Sequence, residues 1–207
     1  MRQVLAACIA LSVATSAQAG ILITEWMYSG DDGEFIELCN IGGPAVDMTG
    51  WSYDDNTQLP GSVDLSIFGI VNPDQCVIIS ELDALTFNNN WSLGATVAIL
   101  GGNSENLGRS DEINIFDAGS NLVDRLTFGD QVFTGSIRTQ NASGFVTAAG
   151  LGANNVFEWT LSSLGDIQDS WAGENGNFGS PGRHVVPEPA TVGALSLLAI
   201  GLIRRRR

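Results

Sequence analysis

The chain contains no lysine and a single histidine. Its 207 residues carry 9 basic side chains, all arginine, against 23 acidic ones, a formal net charge of −14. A surface this negative repels phosphate backbones, which argues against nucleic-acid binding. The one histidine, His184, stands close to the C-terminal end. Serine triads, Cys–His pairs and zinc clusters draw on a histidine inside the fold, so His184 reads as an exposed linker residue. Helical periodicity is scarce as well, the best short stretch being 81–87, and no internal repeat stands out. Cysteine is sparse: Cys8, Cys39 and Cys76 are the only 3.

Both ends of the chain read as addresses. Met1-Arg2 is a short positive region, 4–13 is apolar, and Ala17-Gln18-Ala19 is an A-x-A cleavage site that leaves Gly20 as the first mature residue. At the other end Val186-Pro187-Glu188-Pro189 precedes an apolar stretch, 190–203, and then Arg204, Arg205, Arg206 and Arg207. As a helix the apolar stretch spans roughly 21 Å, short of a ~30 Å hydrocarbon core. That length suits transient membrane contact, with the arginine cluster held on the cytoplasmic side. The three parts together resemble the PEP-CTERM sorting tail of Gram-negative bacteria that produce exopolysaccharide. The resemblance implies an exosortase-type membrane transpeptidase as a partner during sorting. It also implies export through the inner membrane to the cell surface or extracellular matrix.

The expected organisation is therefore a signal peptide (1–19), one domain (20–184) and a sorting tail (185–207). The domain holds 22 acids and 4 bases, 4 − 22 = −18. Only bridging cations would bring such a surface to an anionic polysaccharide. Cys8 leaves with the signal peptide. Cys39 and Cys76 remain as an even pair in an exported chain, which fits a disulfide if their strands are neighbours; otherwise they are two separate half-buried thiols.

The domain reads as all-β. Glu34-Phe35-Ile36-Glu37-Leu38-Cys39 alternates, with Ile36 and Leu38 on one face and Phe35, Glu37 and Cys39 on the other. Further strand-like runs are 21–26, 51–53, 63–68, 76–80, 96–100, 112–116, 122–128 and a weak one near 157–159. Turn signals such as Asp31-Asp32-Gly33 and Asn72-Pro73-Asp74 separate them, which indicates a sandwich or barrel. The Gly-, Ala- and Asn-rich stretch 141–155 reads as a surface loop.

Several of these segments, in order, resemble the lamin-tail domain, an immunoglobulin-like β-sandwich. Ile21-Leu22-Ile23-Thr24-Glu25 looks like its first strand. Glu34-Phe35-Ile36-Glu37-Leu38-Cys39-Asn40 resembles its E-[WF]-[IV]-E-L-x-N strand, and Val46-Asp47-Met48-Thr49-Gly50-Trp51-Ser52-Tyr53 its D-L-x-G-W-x-L strand. The run 69–79 is similar to the family's turn into a central strand, with Asp74 where glycine is usual. Segments 111–116 and 121–128 resemble its late hairpin, and Ser180-Pro181-Gly182 its closing T-P-G. The resemblance spans roughly 21–183. It implies no catalytic residues and a binding or structural role, not an enzyme.

Three constellations remain. Glu25 and Glu37 could face each other across adjacent strands, as a glycosidase-like carboxylate pair in a secreted hydrolase or, as favoured here, as a cross-strand polar pair on a solvated face. Asp31, Asp32 and Glu34, with Asp54 and Asp55, form acidic turns suited to Ca²⁺, as a Ca²⁺-dependent adhesin would need. Solvated turns are the simpler reading, because none fits an EF-hand spacing. Trp26, Trp51, Trp91, Trp159 and Trp171 would make either a sugar platform or core. Among them Trp51 is expected to be buried and Trp91, beside Asn88-Asn89-Asn90, to sit in a loop.

Overall fold

The computed structural model describes residues 20–185. The expectations that fall on 1–19 and 186–207, the cleavage residues Ala17 and Ala19 and the whole sorting motif, lie outside the described residues. Gly20 opens the first strand.

In chain order the strands are β1 (Gly20–Met27), β2 (Phe35–Ile41), β3 (Val46–Asp47), β4 (Ser52–Asp54), β5 (Val63–Asp64), β6 (Ile70–Val71) and β7 (Cys76–Ser80). After helix α1 (Ala84–Asn90) come β8 (Ala98–Leu100), β9 (Asp111–Phe116), β10 (Leu122–Phe128), β11 (Gly144–Val146), β12 (Trp159–Leu161), β13 (Trp171–Ala172) and β14 (Phe178–Gly179). One sheet has the order β12-β11-β1-β2-β7-β8 and a second the order β10-β9-β4-β5. The two pack face to face, so the described residues form an all-β sandwich of the immunoglobulin-like kind.

The six-stranded sheet is covered on both faces. One face, carrying Ile36, Leu38, Val77 and Ile79, packs on the four-stranded sheet in the main core. The other, carrying Phe35 and Ile78, packs under α1 in a second cluster with Met27, Phe87 and Trp91. The alternation in β2 is the cause: a period of two sends successive side chains to opposite faces. The helix contributes because Phe87 and Trp91, four residues apart, share its inner side. Asp83 caps it by accepting from the Thr86 amide at 3.0 Å.

Strand β1 carries a bulge between Ile23 and Glu25. The Ile23 amide reaches across the sandwich to the Asp124 carboxylate at 2.8 Å, which joins β1 to β10, the edge strand of the four-stranded sheet. Burial pushes Asp124 up to about 6. Cys39 and Cys76 are register partners on β2 and β7 with Cα atoms 4.1 Å apart, and they are disulfide-bonded.

Several sequence expectations change here. The run 63–68 forms only a two-residue strand and then a 3-10 turn, Ser66–Phe68. The helix sits three residues later than 81–87 suggested. The stretch 141–155 is not simply a loop: it contains β11, buried and paired with β1. Trp51 is half-buried at the margin of the main core, whereas Trp91 is fully buried. The bulky indole under α1 therefore takes the place expected of Trp51.

Candidate functional site

Glu25 on β1 and Glu37 on β2 are direct register partners, and both are completely buried. They lie on the sheet face shared with Ile78, Glu37's partner on β7, and not on a solvated face. Glu25 accepts hydrogen bonds from the Ser180 amide at 2.7 Å, from Ser180 Oγ at 2.8 Å and from Ser143 Oγ. Glu37 accepts from Thr24 Oγ1 at 2.6 Å and from the Gly182 amide at 2.7 Å, with the Arg183 amide alongside. No arginine side chain neutralises the pair among the described contacts; backbone amides and hydroxyls do the holding.

Loss of hydration pushes both carboxyls up. Glu25 rises to about 7, with the serine hydrogen bonds opposing the burial and Asp166 adding to it. Glu37 is driven well above the carboxylate range, first by burial and then by the negative charge of Glu25, against the bonds from Thr24 and Gly182. Two carboxylates in one dry site do not both ionise readily, so near neutral pH the pair holds at least one proton.

A third buried carboxylate repeats the pattern. Asp32 Oδ1 accepts from the Asn175 amide at 2.8 Å and the Asn175 side chain at 3.0 Å, and Oδ2 accepts from the Asn177 amide at 3.0 Å. The turn between β13 and β14 thus closes around one aspartate from the β1–β2 connection. Glycine makes the approach possible: a Cβ on Gly173 would stand 2.6 Å from the Asp32 carboxyl carbon, and one on Gly179 3.0 Å from Glu25 Oε1.

Beyond Gly182 the chain stays fastened. The buried Gln168 amide donates to the Val185 carbonyl at 3.0 Å and accepts from the Val185 amide at 2.6 Å, as a neighbouring strand would. Arg183 lies 5.1 Å from the centre of the Trp171 ring and is paired with Asp169 at 3.3 Å. His184 is half-buried, not an exposed linker, and desolvation lowers it to about 4. An open hollow of about 510 Å³ borders this segment, lined by Trp91, Leu93, Val97, Trp171, Pro181 and Arg183 among others.

The acidic turns do not converge as one site. Asp31 is exposed, Asp32 serves the β13–β14 turn, and Glu34 accepts from the Leu107 amide at 2.7 Å with burial raising it to about 8. Asp54 and Asp55 do come together, with Glu105, their oxygens within 4.8 Å of one another. One Asp54 oxygen is already bonded by Thr57 Oγ1 and the Leu59 amide, each at 2.8 Å. Glu37, Cys39 and Cys76 also lie within 4.8 Å, but bonded cysteines offer no thiolate. Trp26, Trp91 and Trp159 are buried, so the five tryptophans form no surface platform. Sequence reasoning singled out Glu25 and Glu37 but missed Ser143, Gln168 and the role of Asp32. Only the Ser180-Pro181-Gly182 motif hinted at the partners.

Among the described residues no helix is long and apolar enough to cross a membrane, and 190–203 lies outside them. No curated protein and no solved structure matched the chain. The family model of the Lamin Tail Domain matches residues 14–130. That match covers more than half of the sequence and contains β1 through β10, and by it the chain belongs to the Lamin Tail Domain family.

Proposed function

We propose that this chain is an exported, surface-sorted, non-catalytic binding or structural module of the cell envelope or exopolysaccharide matrix. Membership of a family of structural and binding modules supports the non-catalytic part. The observation that carries it is the fate of Glu25 and Glu37. Both are sealed from solvent and spend their oxygens on Ser180 and Gly182, whereas a glycosidase pair needs room for a sugar and a water between its carboxyls. The sorted part rests on the sequence: the A-x-A site before Gly20, Val186-Pro187-Glu188-Pro189, the short apolar stretch and the four terminal arginines. In this reading an exosortase-type transpeptidase handles the tail after transient membrane contact. The acidic surface then meets polysaccharide or surface proteins through bridging cations. Intact-mass analysis of the surface fraction of the native host tests the proposal. The expected species begins at Gly20 and lacks Arg204 to Arg207; a surface population that keeps the arginines overturns the sorting.

A further inference from the structure

We propose that Glu25 and Glu37 form a proton-held latch on the segment Ser180–Val185, and that loss of the proton frees this segment while the sandwich stays folded. The geometry separates the two events. The carboxylates sit on β1 and β2, whose own pairing runs through seven registered residue pairs and, on β2, a disulfide to β7. The segment they hold has no strand pairing of its own after Gly179. Its anchors are three bonds to Glu25 and Glu37 from Ser180 and Gly182, the Gln168 amide at Val185, and Arg183 against Trp171.

The charged groups around the latch favour release once it ionises. From β1 and β2 come Glu25 and Glu37 themselves. The turn before β13 brings Asp166, whose charge raises Glu25 further, and Asp169. The closing segment brings Arg183, turned toward Trp171 and Asp169, and His184, held uncharged by burial. From β11 and β12's far end come only the hydroxyls of Ser143 and Ser162. A second negative charge therefore meets no cationic side chain inside the site. The cheapest relief is to expose the carboxylates to water by lifting the one cover that lacks strand partners.

Release would lengthen the tether between the sandwich and whatever follows Val185. Six freed residues reach up to roughly 20 Å. It would also take away the wall of the hollow formed by Pro181 and Arg183. The latch does not depend on the export reading and can fail or hold independently of it.

Amide hydrogen exchange on the whole chain, expressed as protection factors so that the intrinsic pH dependence cancels, reads the latch directly. With Glu25 at about 7 when latched and 4.5 when released, the released-to-latched ratio grows about tenfold between about pH 6 and about pH 9. Protection at Ser180 and Gly182 is expected to fall by that factor through an opening with little denaturant dependence, whereas Leu38 and Val77 exchange only through global unfolding, with its full denaturant dependence. Glu25→Gln keeps an acceptor for the Ser180 amide and places a donor toward Ser180 Oγ but cannot ionise; it should flatten most of the pH response. Ser143→Ala removes a bond that favours ionised Glu25 and should move the midpoint upward. A flat wild-type profile overturns the latch. So does an unchanged response in Glu25→Gln, or a denaturant dependence of exchange at Ser180 equal to that in β2 and β7.

Discussion

Residues 20–130 and residues 131–185 are fastened by different means. In the first region the longest strands, β1, β2, β7, β9 and β10, pair through five to seven residues and bury apolar side chains on both sheet faces. In the second the strands are two or three residues long. β11 and β12 also bury Val146 and Trp159 in the main core, but β13, β14 and the segment after them are held by carboxylates that the first region lends: Glu25 to Ser180, Asp32 to Asn175 and Asn177, Glu37 to Gly182. An apolar strand finds its place through area removed from water, which is tolerant of detail. A short strand bound by two or three hydrogen bonds depends on one acceptor being present and in the right protonation state. The second region is therefore expected to be the more sensitive to single polar substitutions, and the first to cavities.

Trp91 tests the first half of that contrast. It is fully buried among Phe35, Phe87 and Met27, with Trp171 edge-on at 6.1 Å, and its Nε1 donates to the Asp32 carbonyl at 3.1 Å. Trp91→Ala should cost about 3–5 kcal/mol and loosen both regions together. Trp51→Ala, at a half-buried position, should cost about 1–2 kcal/mol. Thermal melts of the two variants decide; equal losses would show that the second cluster does not bind the regions.

The disulfide is confined to the first region. Cys39 and Cys76 are separated by 37 positions, and closing that loop contributes about 4 kcal/mol in the chain-entropy account. Reducing it should lower the melting temperature of the whole sandwich without preferentially exposing 171–185. Labelling of unfolded, unreduced protein should find no reactive thiol at either position.

Asp32→Ala tests the second half. Without the carboxylate the Asn175 and Asn177 amides lose their acceptor, at about 2–3 kcal/mol. Exchange protection should vanish over 171–179 and persist in β2 and β7. Uniform loss would mean the two regions are one cooperative unit.

The sequence showed the first region well and the second poorly, for the same physical reason. Alternation in 34–39 and the runs 76–80 and 122–128 mark strands because burial demands apolar side chains at a period of two. Strand β11 has no such mark. Gly144 is there because a Cβ would lie 2.5 Å from Ile137 Cδ1 and 2.9 Å from Thr139 Cγ2, so close packing gave it the composition of a loop. Glu25 and Glu37 were visible as a pair. Their burial was not, because apart from Thr24 the side chains and amides that satisfy them lie 118 to 155 residues away. Trp91 was obscured by its asparagine neighbours, Asn88, Asn89 and Asn90, whose composition reads as a loop.

Raised carboxyls give the pH dependence a sign. Glu25 at about 7, Glu34 at about 8 and Asp124 at about 6 all bind protons more tightly when folded. Their contribution is fully present below the unfolded values, 3.8 for Asp124 and 4.5 for the glutamates, and is lost as pH rises through the folded ones. Stability should thus fall from about pH 5 to about pH 8, by roughly 2 kcal/mol after allowance for relaxation around the buried groups. Chemical denaturation across that range measures it, and a rise over the same interval would contradict the raised values.

The smallest effect is expected from calcium. Asp54, Asp55 and Glu105 converge in the first region, but a Ca²⁺ ion takes six to eight oxygens, and one Asp54 oxygen is committed to Thr57 and Leu59. The domain's charge of 4 − 22 = −18 nevertheless makes any cation stabilising through screening of self-repulsion. Millimolar CaCl₂ should therefore raise the melting temperature no more than NaCl at equal ionic strength, and Asp55→Asn should leave that comparison unchanged. An excess with calcium that Asp55→Asn abolishes would turn this corner of the strand-built region into a metal site. It would also revive the adhesin reading in place of the matrix module.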